Sequence, residues 1–83
     1  MYWIYVLEAE DTSWYIGYTS NLEKRLKEHQ SGYGSKTTKK LSDLKLIYCE
    51  GYLNINDAKG REMFLKSGAG RKFLKKQLRN YLS

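Results

Sequence analysis

Apolar, aromatic and β-branched residues dominate two short segments near the start of the chain, residues 3–7 and 14–19. This composition is typical of β-strands. A polar connection, residues 8–13, separates the two segments. Because consecutive strands that are joined so closely usually pair with each other, the pattern predicts an antiparallel hairpin.

The register of this hairpin determines which side chains lie next to each other. A turn centred near Glu10 predicts that Tyr5 faces Tyr15. The same register places Trp3 opposite Gly17. Both tyrosines then project from one face of the sheet, whereas a slip of one residue would separate them.

A helix and a third strand are predicted downstream of the hairpin. Residues 20–23 (Ser-Asn-Leu-Glu) have the form of a capping box, which indicates a helix that begins there and ends near Gly32. A loop rich in Gly, Thr and Lys follows. Residues 44–50 then have the pattern of a strand in which Leu46 and Tyr48 share one face.

Two further helices complete the predicted fold. Residues 54–57 offer N-caps for a helix that reaches Lys66, and Gly68 is its natural C-terminal cap. Residues 71–82 have an apolar stripe at helical spacing, with basic residues on the other side. The order β-β-α-β-α-α predicts a single α/β domain over residues 1–83, with a small three-stranded, mainly antiparallel sheet flanked by three helices.

Charge is distributed unevenly along the chain, which carries a net charge of +6. Residues 58–83 contain eight basic residues against one acidic residue, Glu62. This distribution favours a polyanionic partner, and nucleic acid is the leading candidate. A solvated lysine-rich surface would give the same pattern.

The composition also bears on the compartment. Cys49 is the single cysteine and cannot form an internal disulfide, which favours a reducing environment. The apolar residues 2–7 are too few to span a bilayer and lack the basic leader of a signal peptide. We therefore expect a cytoplasmic protein that does not enter a membrane.

The first predicted helix carries two candidate catalytic residues, Arg25 and His29. Together with Leu22 and Leu26 they lie at helical spacing, within about a third of the circumference. Because burial of an unpaired guanidinium is unfavourable, Arg25 must meet a partner or line a cleft. The structural alternative is that Arg25 pairs with a carboxylate while His29 packs at the boundary of the core.

Glu62 is a candidate metal ligand. It lies on a helix face that otherwise looks inward, and it is the one acidic residue in the strongly basic segment. A carboxylate in this setting could bind Mg²⁺, a hard cation that takes oxygen ligands and retains water. The alternative is a salt bridge, with Arg61, Lys66 or Arg25 as the partner.

Aromatic residues and one glycine add to these signals. The eight tyrosines and two tryptophans could stack on nucleotide bases, although such rings usually fill the core of a small domain. Gly17, inside a predicted strand, indicates a bulge or a close approach by another backbone or a ligand. The sequence contains neither paired Cys or His at zinc-ligand spacing nor a phosphate-binding loop.

In chain order, these residues resemble the GIY-YIG nuclease family. Residues 3–5 (Trp-Ile-Tyr) stand where the first motif belongs, and residues 15–17 (Tyr-Ile-Gly) match the second motif in full. Arg25 and His29 follow as the family's arginine and its frequent histidine. Glu62 lies in a segment similar to the helix that bears the metal-binding glutamate. The resemblance covers nearly the whole chain and is closest to small stand-alone bacterial members related to the incision domain of the excision-repair nuclease.

Two positions depart from the family pattern. Trp3 replaces the glycine of the first motif, a change on the hairpin rather than on a reacting group. Asn80 is the only asparagine after Glu62. Its helical setting does not match the late active-site asparagine of some members, so that role is not assigned to it.

The resemblance implies a chemistry for five residues. Glu62 would hold one Mg²⁺ (or Mn²⁺) that polarises the scissile phosphate. Arg25 would bind the phosphate and counter the charge that builds in the transition state. Tyr5 or His29 would position and deprotonate the attacking water. Tyr15 would help to orient that water through its hydroxyl. A tyrosine is a poor base near neutral pH, so the choice between Tyr5 and His29 stays open.

The resemblance also implies DNA as the substrate. We expect a metal-dependent endonuclease that acts in DNA repair or recombination. Because these 83 residues contain neither a zinc finger nor a recognition helix-turn-helix, we expect weak sequence preference, with DNA structure, a partner protein or a homodimer supplying the selectivity. A catalytically inactive nucleic-acid-binding module and a protein-interaction domain are the alternatives. The candidate DNA contacts are Gly17, Lys36, Lys39, Lys40, Arg71, Lys72, Lys75 and Lys76.

Overall fold

The structure of the protein is a computed structural model that describes residues 1–30 and 44–83. The described residues form three strands and four helices, so the predicted order of elements is confirmed with one additional short helix. The elements are β1 (Tyr2–Glu8), β2 (Trp14–Thr19), α1 (Leu22–Gln30), β3 (Lys45–Tyr52), α2 (Ile55–Lys66), α3 (Gly68–Gln77) and α4 (Arg79–Leu82).

The three strands form one antiparallel sheet in the order β2-β1-β3. This arrangement confirms the predicted fold class. The central strand β1 is buried from Ile4 to Glu8, and β2 is an edge strand. Within the described residues, no helix has the length and apolar character needed to cross a membrane.

The pairing of β1 with β2 is shifted by two residues from the expected register. Tyr5 lies opposite Gly17, and Leu7 lies opposite Tyr15. The predicted pairing of Tyr5 with Tyr15 is therefore wrong, as is that of Trp3 with Gly17. Because the shift is an even number of residues, Tyr5 and Tyr15 still project from the same face of the sheet, as diagonal neighbours.

The turn between the strands explains the shift. The N–H of Thr12 donates to the carbonyl of Ala9 at 2.9 Å, and the N–H of Ala9 donates to the carbonyl of Ser13 at 2.9 Å. Thr12 has a φ of 69°, in the left-handed region. This combination is a three-residue hairpin loop, a type I turn followed by a left-handed residue. The loop is centred on Asp11 rather than on Glu10.

A bulge interrupts the pairing of β3 with β1. Leu46 pairs with Leu7, but Tyr48 pairs with Val6, so Ile47 is the extra residue. Since Val6 and Leu7 point to opposite faces of the sheet, Leu46 and Tyr48 do so as well. The prediction that they share one face is wrong because simple alternation does not anticipate a bulge.

Two hydrophobic clusters lie on the two faces of the sheet. On one side, Ile4 and Val6 pack with Ala58 and Leu65 of α2 and Leu74 of α3. All five side chains are completely buried, at 0% exposed. We call this side the α2 face.

The opposite side is covered by α1. Tyr5, Leu7 and Leu44 form its buried cluster, and Leu22 and Leu26 of α1 pack against them. We call this side the α1 face. The alternation of β1 thus sends neighbouring residues into different surroundings, one under α1 and the next under α2 and α3.

Asparagine side chains begin two of the helices. The side chain of Asn21 accepts a hydrogen bond from the N–H of Lys24 at 3.0 Å, so Asn21 caps α1 rather than Ser20. Asn54 accepts from the N–H of Asn56 at 2.8 Å and caps α2, as predicted.

The connection between α2 and α3 corrects a further expectation. Ser67 ends α2 by donating its N–H to the carbonyl of Phe64 at 3.0 Å, and its Oγ accepts from the N–H of Gly70 at 3.1 Å. Gly68 is the first residue of α3 and not the C-cap of α2. Ser67 is in an extended conformation, with φ −79° and ψ 168°, so no left-handed residue is needed there.

The predicted final helix is divided in two. Residues 71–82 were expected to form one continuous helix, whereas α3 ends at Gln77 and α4 begins at Arg79. Leu78, with φ −101° and ψ 21°, separates them. The apolar stripe continues through the break, which is why the sequence pattern does not reveal it.

Candidate functional site

A hydrogen bond between Tyr5 and Arg25 is the polar centre of the α1 face. The side chain of Arg25 donates through Nε to the hydroxyl of Tyr5 at 3.1 Å. Tyr5 is 4% exposed, while the side chain of Arg25 is 37% exposed. This hydrogen bond is the main cause of the raised pKa of Arg25, although partial burial acts in the opposite direction. The guanidinium is charged, as arginine always is near neutral pH, and its Nε is engaged by Tyr5.

Within residues 1–30 and 44–83, Arg25 has N–H donors that neither Tyr5 nor Glu28 engages. A guanidinium has five N–H groups, and the one on Nε serves Tyr5. Nη1 lies 3.8 Å from Oε1 of Glu28, beyond hydrogen-bond length, in a half-exposed pair one turn apart. Such a surface pair contributes little. The carboxylate partner that the structural alternative expected for Arg25 is thus Glu28, and its interaction with Arg25 is weak. The Nη groups can therefore bind a phosphate.

Gly17 provides the space that Tyr5 occupies. A Cβ at Gly17 would lie 2.5 Å from the Tyr5 hydroxyl and 2.8 Å from its Cζ. The phenol ring therefore passes directly over the glycine. The close approach indicated by the sequence is present, but the approaching group is a side chain rather than another backbone or a ligand.

Tyr15 shares the α1 face with Tyr5. It lies opposite Leu7, two residues from Gly17 along β2. This diagonal arrangement separates the two tyrosine Cα atoms by about 7–8 Å. Tyr15 is 39% exposed and belongs to the edge strand β2.

Several predicted site residues cannot be compared with the structure. His29 belongs to α1, one turn beyond Arg25. Lys36, Lys39 and Lys40 lie outside the described residues. The roles expected of these four residues remain predictions.

Glu62 lies on α2, which packs on the other face of the sheet. Its neighbours on the helix face are the buried Ala58 and Leu65. The side chain is 18% exposed, and Oε2 lies 3.2 Å from Nζ of Lys66. The salt bridge that the sequence offered as the alternative to metal binding is thus present, with Lys66 as the partner.

The contacts of Arg61 and Lys59, on the two sides of α2, show which strand is nearer to Glu62. Arg61 reaches β3, where its Nε lies 2.9 Å from Oε1 of Glu50. On the other flank, Nζ of Lys59 lies 5.9 Å from the centre of the Tyr18 ring of β2. Around the circumference of α2, Glu62 lies between the buried side, marked by Ala58 and Leu65, and the flank that carries Lys59. Glu62 therefore leans towards the edge strand β2 and away from β3.

The structure places four predicted site residues on one face of the sheet and the helix that bears Glu62 on the other. Tyr5, Gly17, Tyr15 and Arg25 lie on the α1 face, whereas Glu62 lies on the α2 face. The expectation that Glu62 shares their pocket stays a prediction. The edge of β2 is the part of the sheet that both groups border.

Residues 1–30 and 44–83 contain no group of three or more His, Cys, Asp or Glu side chains that could hold a metal ion. A single carboxylate suits Mg²⁺, which retains several waters and often binds through one carboxylate and a substrate phosphate. Glu62 fits that role, and the described residues do not fit a preformed structural metal site.

The basic residues expected to contact DNA on α3 are accessible. Arg71, Lys72, Lys75 and Lys76 are all exposed. Arg71 lies against a ring of the sheet, with its Cζ 5.8 Å from the centre of the Trp14 ring. Their contact with nucleic acid remains a prediction.

Comparison with known proteins identifies the family. A family model described as the GIY-YIG catalytic domain matches residues 1–77. The chain belongs to the GIY-YIG family. It therefore carries a domain of a nuclease family, and the Tyr5, Gly17 and Arg25 arrangement lies within the matched region.

The relatives of this GIY-YIG chain are small bacterial proteins. A UPF0213 protein of Clostridium perfringens is 42% identical over 66 residues, which cover 80% of this chain and 71% of the relative. A UPF0213 protein of Lactococcus lactis subsp. cremoris is 41% identical over 78 residues, covering 94% and 80%. The solution NMR structure of a UPF0213 protein from Bacillus halodurans matches with a TM-score of 0.59 and 31% identity, covering 93% of this chain and 85% of that one.

A partly buried ion pair in the GIY-YIG domain was not found by sequence reasoning. Glu50 accepts two hydrogen bonds from Arg61, Nε to Oε1 at 2.9 Å and Nη2 to Oε2 at 3.0 Å. The hydroxyls of Tyr48 and Tyr52 also donate to Glu50. The alternation Tyr-x-Glu-x-Tyr over residues 48–52 places all three side chains on one face and was the available signal.

This cluster changes the pKa of its members. Burial acts to raise the pKa of Glu50, but the hydrogen bonds from Arg61, Tyr48 and Tyr52 outweigh it and hold the pKa below its usual value. Burial, followed by the bond to Glu50, raises the pKa of Tyr48 to about 12. Arg61 also lies over the Phe73 ring, 4.5 Å from its centre. The cluster fixes α2, which carries Glu62, to β3.

A second acidic residue, Glu8, anchors the C-terminal helix. Glu8 is 8% exposed and accepts hydrogen bonds from the hydroxyl of Tyr81 and, at 3.0 Å, from Nε1 of Trp14. These bonds, the one from Tyr81 first, lower the pKa of Glu8. No local sequence signal connects Glu8 with Tyr81, because 73 positions separate them.

Proposed function

We propose that this GIY-YIG protein is a metal-dependent endonuclease that hydrolyses DNA phosphodiester bonds. The observation that carries the proposal is the guanidinium of Arg25, whose Nε donates to the Tyr5 hydroxyl at 3.1 Å while Nη1 stays 3.8 Å from the Glu28 carboxylate. A fixed, charged fork suits a phosphate that gains negative charge in the transition state. Membership of a nuclease family supports hydrolysis over binding alone.

The residues of the α1 face would have separate tasks. Arg25 would bind the non-bridging oxygens of the scissile phosphate. Tyr5 would position the attacking water, and either Tyr5 or His29 would accept its proton. Tyr15, exposed on the same face, would orient the water or the phosphate through its hydroxyl.

Glu62 would hold one Mg²⁺ (or Mn²⁺). A bound metal ion would supply polarisation of the phosphate and stabilisation of the leaving oxygen. Because Arg25 and Glu62 lie on opposite faces, the scissile phosphate would lie at the edge of β2, which both faces border. The present partner of Glu62 is a half-exposed Lys66 one turn away, an ion pair weak enough to be exchanged for a metal ion.

The experiment combines a substrate panel with one isosteric substitution. Purified protein is incubated with branched, flapped and plain duplex DNA, with and without Mg²⁺, and the products are resolved by length. We expect Mg²⁺-dependent cleavage that Glu62→Gln reduces to background. Glu23→Gln is the matched control, because Glu23 is also a glutamate in a helix with an i,i+4 lysine partner, at 3.4 Å.

Two results would contradict the assigned mechanism. The first is the absence of cleavage of every DNA in the panel. The second is equal cleavage by wild type and Glu62→Gln, which would show that the carboxylate holds no essential metal ion.

Selectivity and setting belong to the same proposal. We propose that DNA structure rather than sequence directs cleavage, in DNA repair or recombination, with a partner protein or a homodimer adding selectivity. The cytoplasm is the proposed location, and the free, exposed Cys49 is compatible with a reducing compartment. Cleavage of plain duplexes at one preferred sequence by the isolated chain would count against structure-directed action.

A second candidate function is a catalytically inactive nucleic-acid-binding module. It is favoured by the position of Glu62 on the α2 face, in an ion pair with Lys66. This function predicts salt-sensitive DNA binding that survives Glu62→Gln and Arg25→Ala, without any metal-dependent product. The substrate panel therefore separates the two candidates.

A further inference from the structure

The α2 face of the edge strand β2 carries two aromatic rings, each with a cation beside it. Nζ of Lys59, from α2, lies 5.9 Å from the centre of the Tyr18 ring. Cζ of Arg71, from α3, lies 5.8 Å from the centre of the Trp14 ring. Both contacts are within the range of cation–π attraction, so the rings restrict where the two cations can lie.

Along β2, the rings that these two cations contact lie on either side of Gly17, the residue of β2 that belongs to the candidate site. Trp14 and Tyr18 are four residues apart, about 13 Å along a β-strand. Gly17, over which the Tyr5 ring lies, falls between them. A phosphate backbone that follows the edge of β2 past Tyr5 would therefore meet a cation on each side.

A cleft at the Trp14 end adds a third cation. The cleft has a volume of about 510 Å³. Its charged residues are Arg71, Lys75 and Glu8. The carboxylate of Glu8 is almost completely covered and accepts hydrogen bonds from Trp14 and Tyr81. The charges exposed at the mouth of the cleft are therefore positive.

The other basic residues of α3 point elsewhere. Gly70 and Leu74 mark the buried side of this helix. At 100° per residue, Arg71 and Lys75 lie on one flank, while Lys72 and Lys76 lie about 100° further round, away from the cleft. The four basic residues of α3 are thus not equivalent with respect to β2.

We propose that the DNA backbone follows the edge of β2 and contacts Lys59 at one end and Arg71 and Lys75 at the other. Of the four basic residues of α3 that the sequence offers as candidate DNA contacts, Lys72 and Lys76 then lie outside the interface. The inference rests on the proposed DNA substrate and assigns its path. Cations whose side chains are already restricted by a ring lose less conformational entropy when they bind a phosphate. Edge strands also leave one side unpaired, so a polyanion can approach.

Two double variants with the same change in charge test the path. Lys59→Gln/Arg71→Gln and Lys72→Gln/Lys76→Gln each remove two positive charges, and the second pair lies on the same helix as Arg71. Binding of a fluorescent DNA duplex is measured by anisotropy without Mg²⁺, from about 50 to about 200 mM KCl. Lys75→Gln is included because no aromatic ring of residues 1–30 and 44–83 has a cation–π contact with Lys75 whose loss could affect folding. Thermal unfolding is recorded for every variant.

The expected result is a difference between the two pairs. Lys59→Gln/Arg71→Gln should lower affinity roughly tenfold and reduce the slope of log K against log salt by about two. Lys75→Gln should reduce the slope by about one, and Lys72→Gln/Lys76→Gln should leave it close to wild type.

Equal losses in the two double variants would overturn the proposal, because binding would then depend on net charge alone. Self-association of Lys59→Gln/Arg71→Gln with unchanged DNA affinity would also overturn it, since the cations would then serve to protect the sheet edge. The binding assay does not depend on cleavage. Failure of the nuclease proposal, seen as no product, is therefore distinguishable from failure of the DNA path.

Discussion

Gly17 lies directly under the phenol ring of Tyr5, and a Cβ at this position would stand 2.5 Å from the hydroxyl. The two residues are opposite each other in β2 and β1. The backbone of Gly17 is not in the left-handed region, so its conformation does not require glycine. Room for the Tyr5 ring, whose hydroxyl accepts the hydrogen bond from Arg25, is the reason for glycine here.

Gly17→Ala should therefore reduce activity more than it reduces stability. The added methyl group forces the Tyr5 hydroxyl away from Arg25, and a displacement of about 1 Å in an active site can cost roughly 100-fold in rate. Crowding in a packed region costs about 1–3 kcal/mol of unfolding free energy. The measurements are kcat/KM on the best DNA substrate and a urea unfolding curve.

Gly60→Ala is the matched control for this substitution. In the described part of the chain, no atom lies within 4 Å of a Cβ built at Gly60, which is inside α2. Replacing an exposed helical glycine should raise the unfolding free energy by about 1 kcal/mol and leave kcat/KM unchanged. Wild-type kcat/KM in Gly17→Ala would show that the position of the Tyr5 hydroxyl is unimportant.

In the hairpin, the strands could be predicted from the sequence but their register could not. The aromatic and β-branched composition of residues 3–7 and 14–19 was sufficient to predict β1 and β2. Because the register error is an even number of residues, the prediction that Tyr5 and Tyr15 lie on one face of the sheet is correct in spite of it. The register was wrong by two residues because the turn uses Thr12 in a left-handed conformation, which a β-branched residue rarely adopts. An Asn-Gly or Asp-Gly pair is the usual sequence signal of a tight hairpin turn, and residues 8–13 contain neither.

The site was predictable on the α1 face and less so on the α2 face. Helical spacing alone predicted that Arg25 shares a face with Leu22 and Leu26. The side of the sheet on which α2 packs depends on contacts between distant parts of the chain, so its position on the face opposite α1 could not be predicted. For the same reason, the Glu50–Arg61 pair was visible only as a tyrosine–glutamate alternation.

Arg25 and Tyr5 should behave as a coupled pair in kinetics. Arg25→Lys removes both the Nε donor and the planar fork, so we expect about a 100-fold loss in kcat/KM. Tyr5→Phe removes the acceptor hydroxyl and should lower kcat/KM as well. In the double variant the losses should be less than additive, with a coupling of about 0.5–3 kcal/mol.

Arg79→Lys provides the control for the arginine substitution. Arg79 is exposed on α4 and donates to the carbonyl of Lys76 at 3.3 Å. Its variant should retain wild-type kcat/KM. Strictly additive losses for Tyr5→Phe and Arg25→Lys would mean that the hydrogen bond between them plays no part in the reaction.

Thr12→Gly should stabilise the protein without affecting catalysis. Thr12 has a φ of 69°, and the left-handed conformation costs an L-residue about 1–2 kcal/mol. Glycine adopts it readily but is more flexible in the unfolded chain, which offsets part of the gain. We expect a net increase of about 1 kcal/mol, or about 4–8 °C in Tm, measured by calorimetry. A lower Tm would indicate that the hydroxyl of Thr12, which donates to the carbonyl of Asp11, is the stronger influence.

The Glu50–Arg61 pair should make stability depend on pH in the acid range. The pKa of Glu50 is lowered in the folded protein, so the pair's contribution is fully present above the ordinary glutamate pKa of about 4.3. It is lost as the pH falls through the lower pKa of the folded state. Glu50→Gln removes this titration and weakens the bonds to Arg61, so we expect it to be about 1–3 kcal/mol less stable than wild type at neutral pH.

The difference between wild type and Glu50→Gln should therefore shrink as the pH is lowered from about 6 to about 3. Urea unfolding at a series of pH values measures it, and the subtraction removes the parallel contribution of Glu8, whose pKa is also lowered. Glu23→Gln, in an exposed pair with side chains 75% and 82% accessible, should change the unfolding free energy at neutral pH by less than about 1 kcal/mol. A constant difference between wild type and Glu50→Gln across the series would mean that Glu50 keeps the same pKa in the folded and unfolded chain, and that its hydrogen bonds to Arg61, Tyr48 and Tyr52 do not favour the carboxylate over the acid.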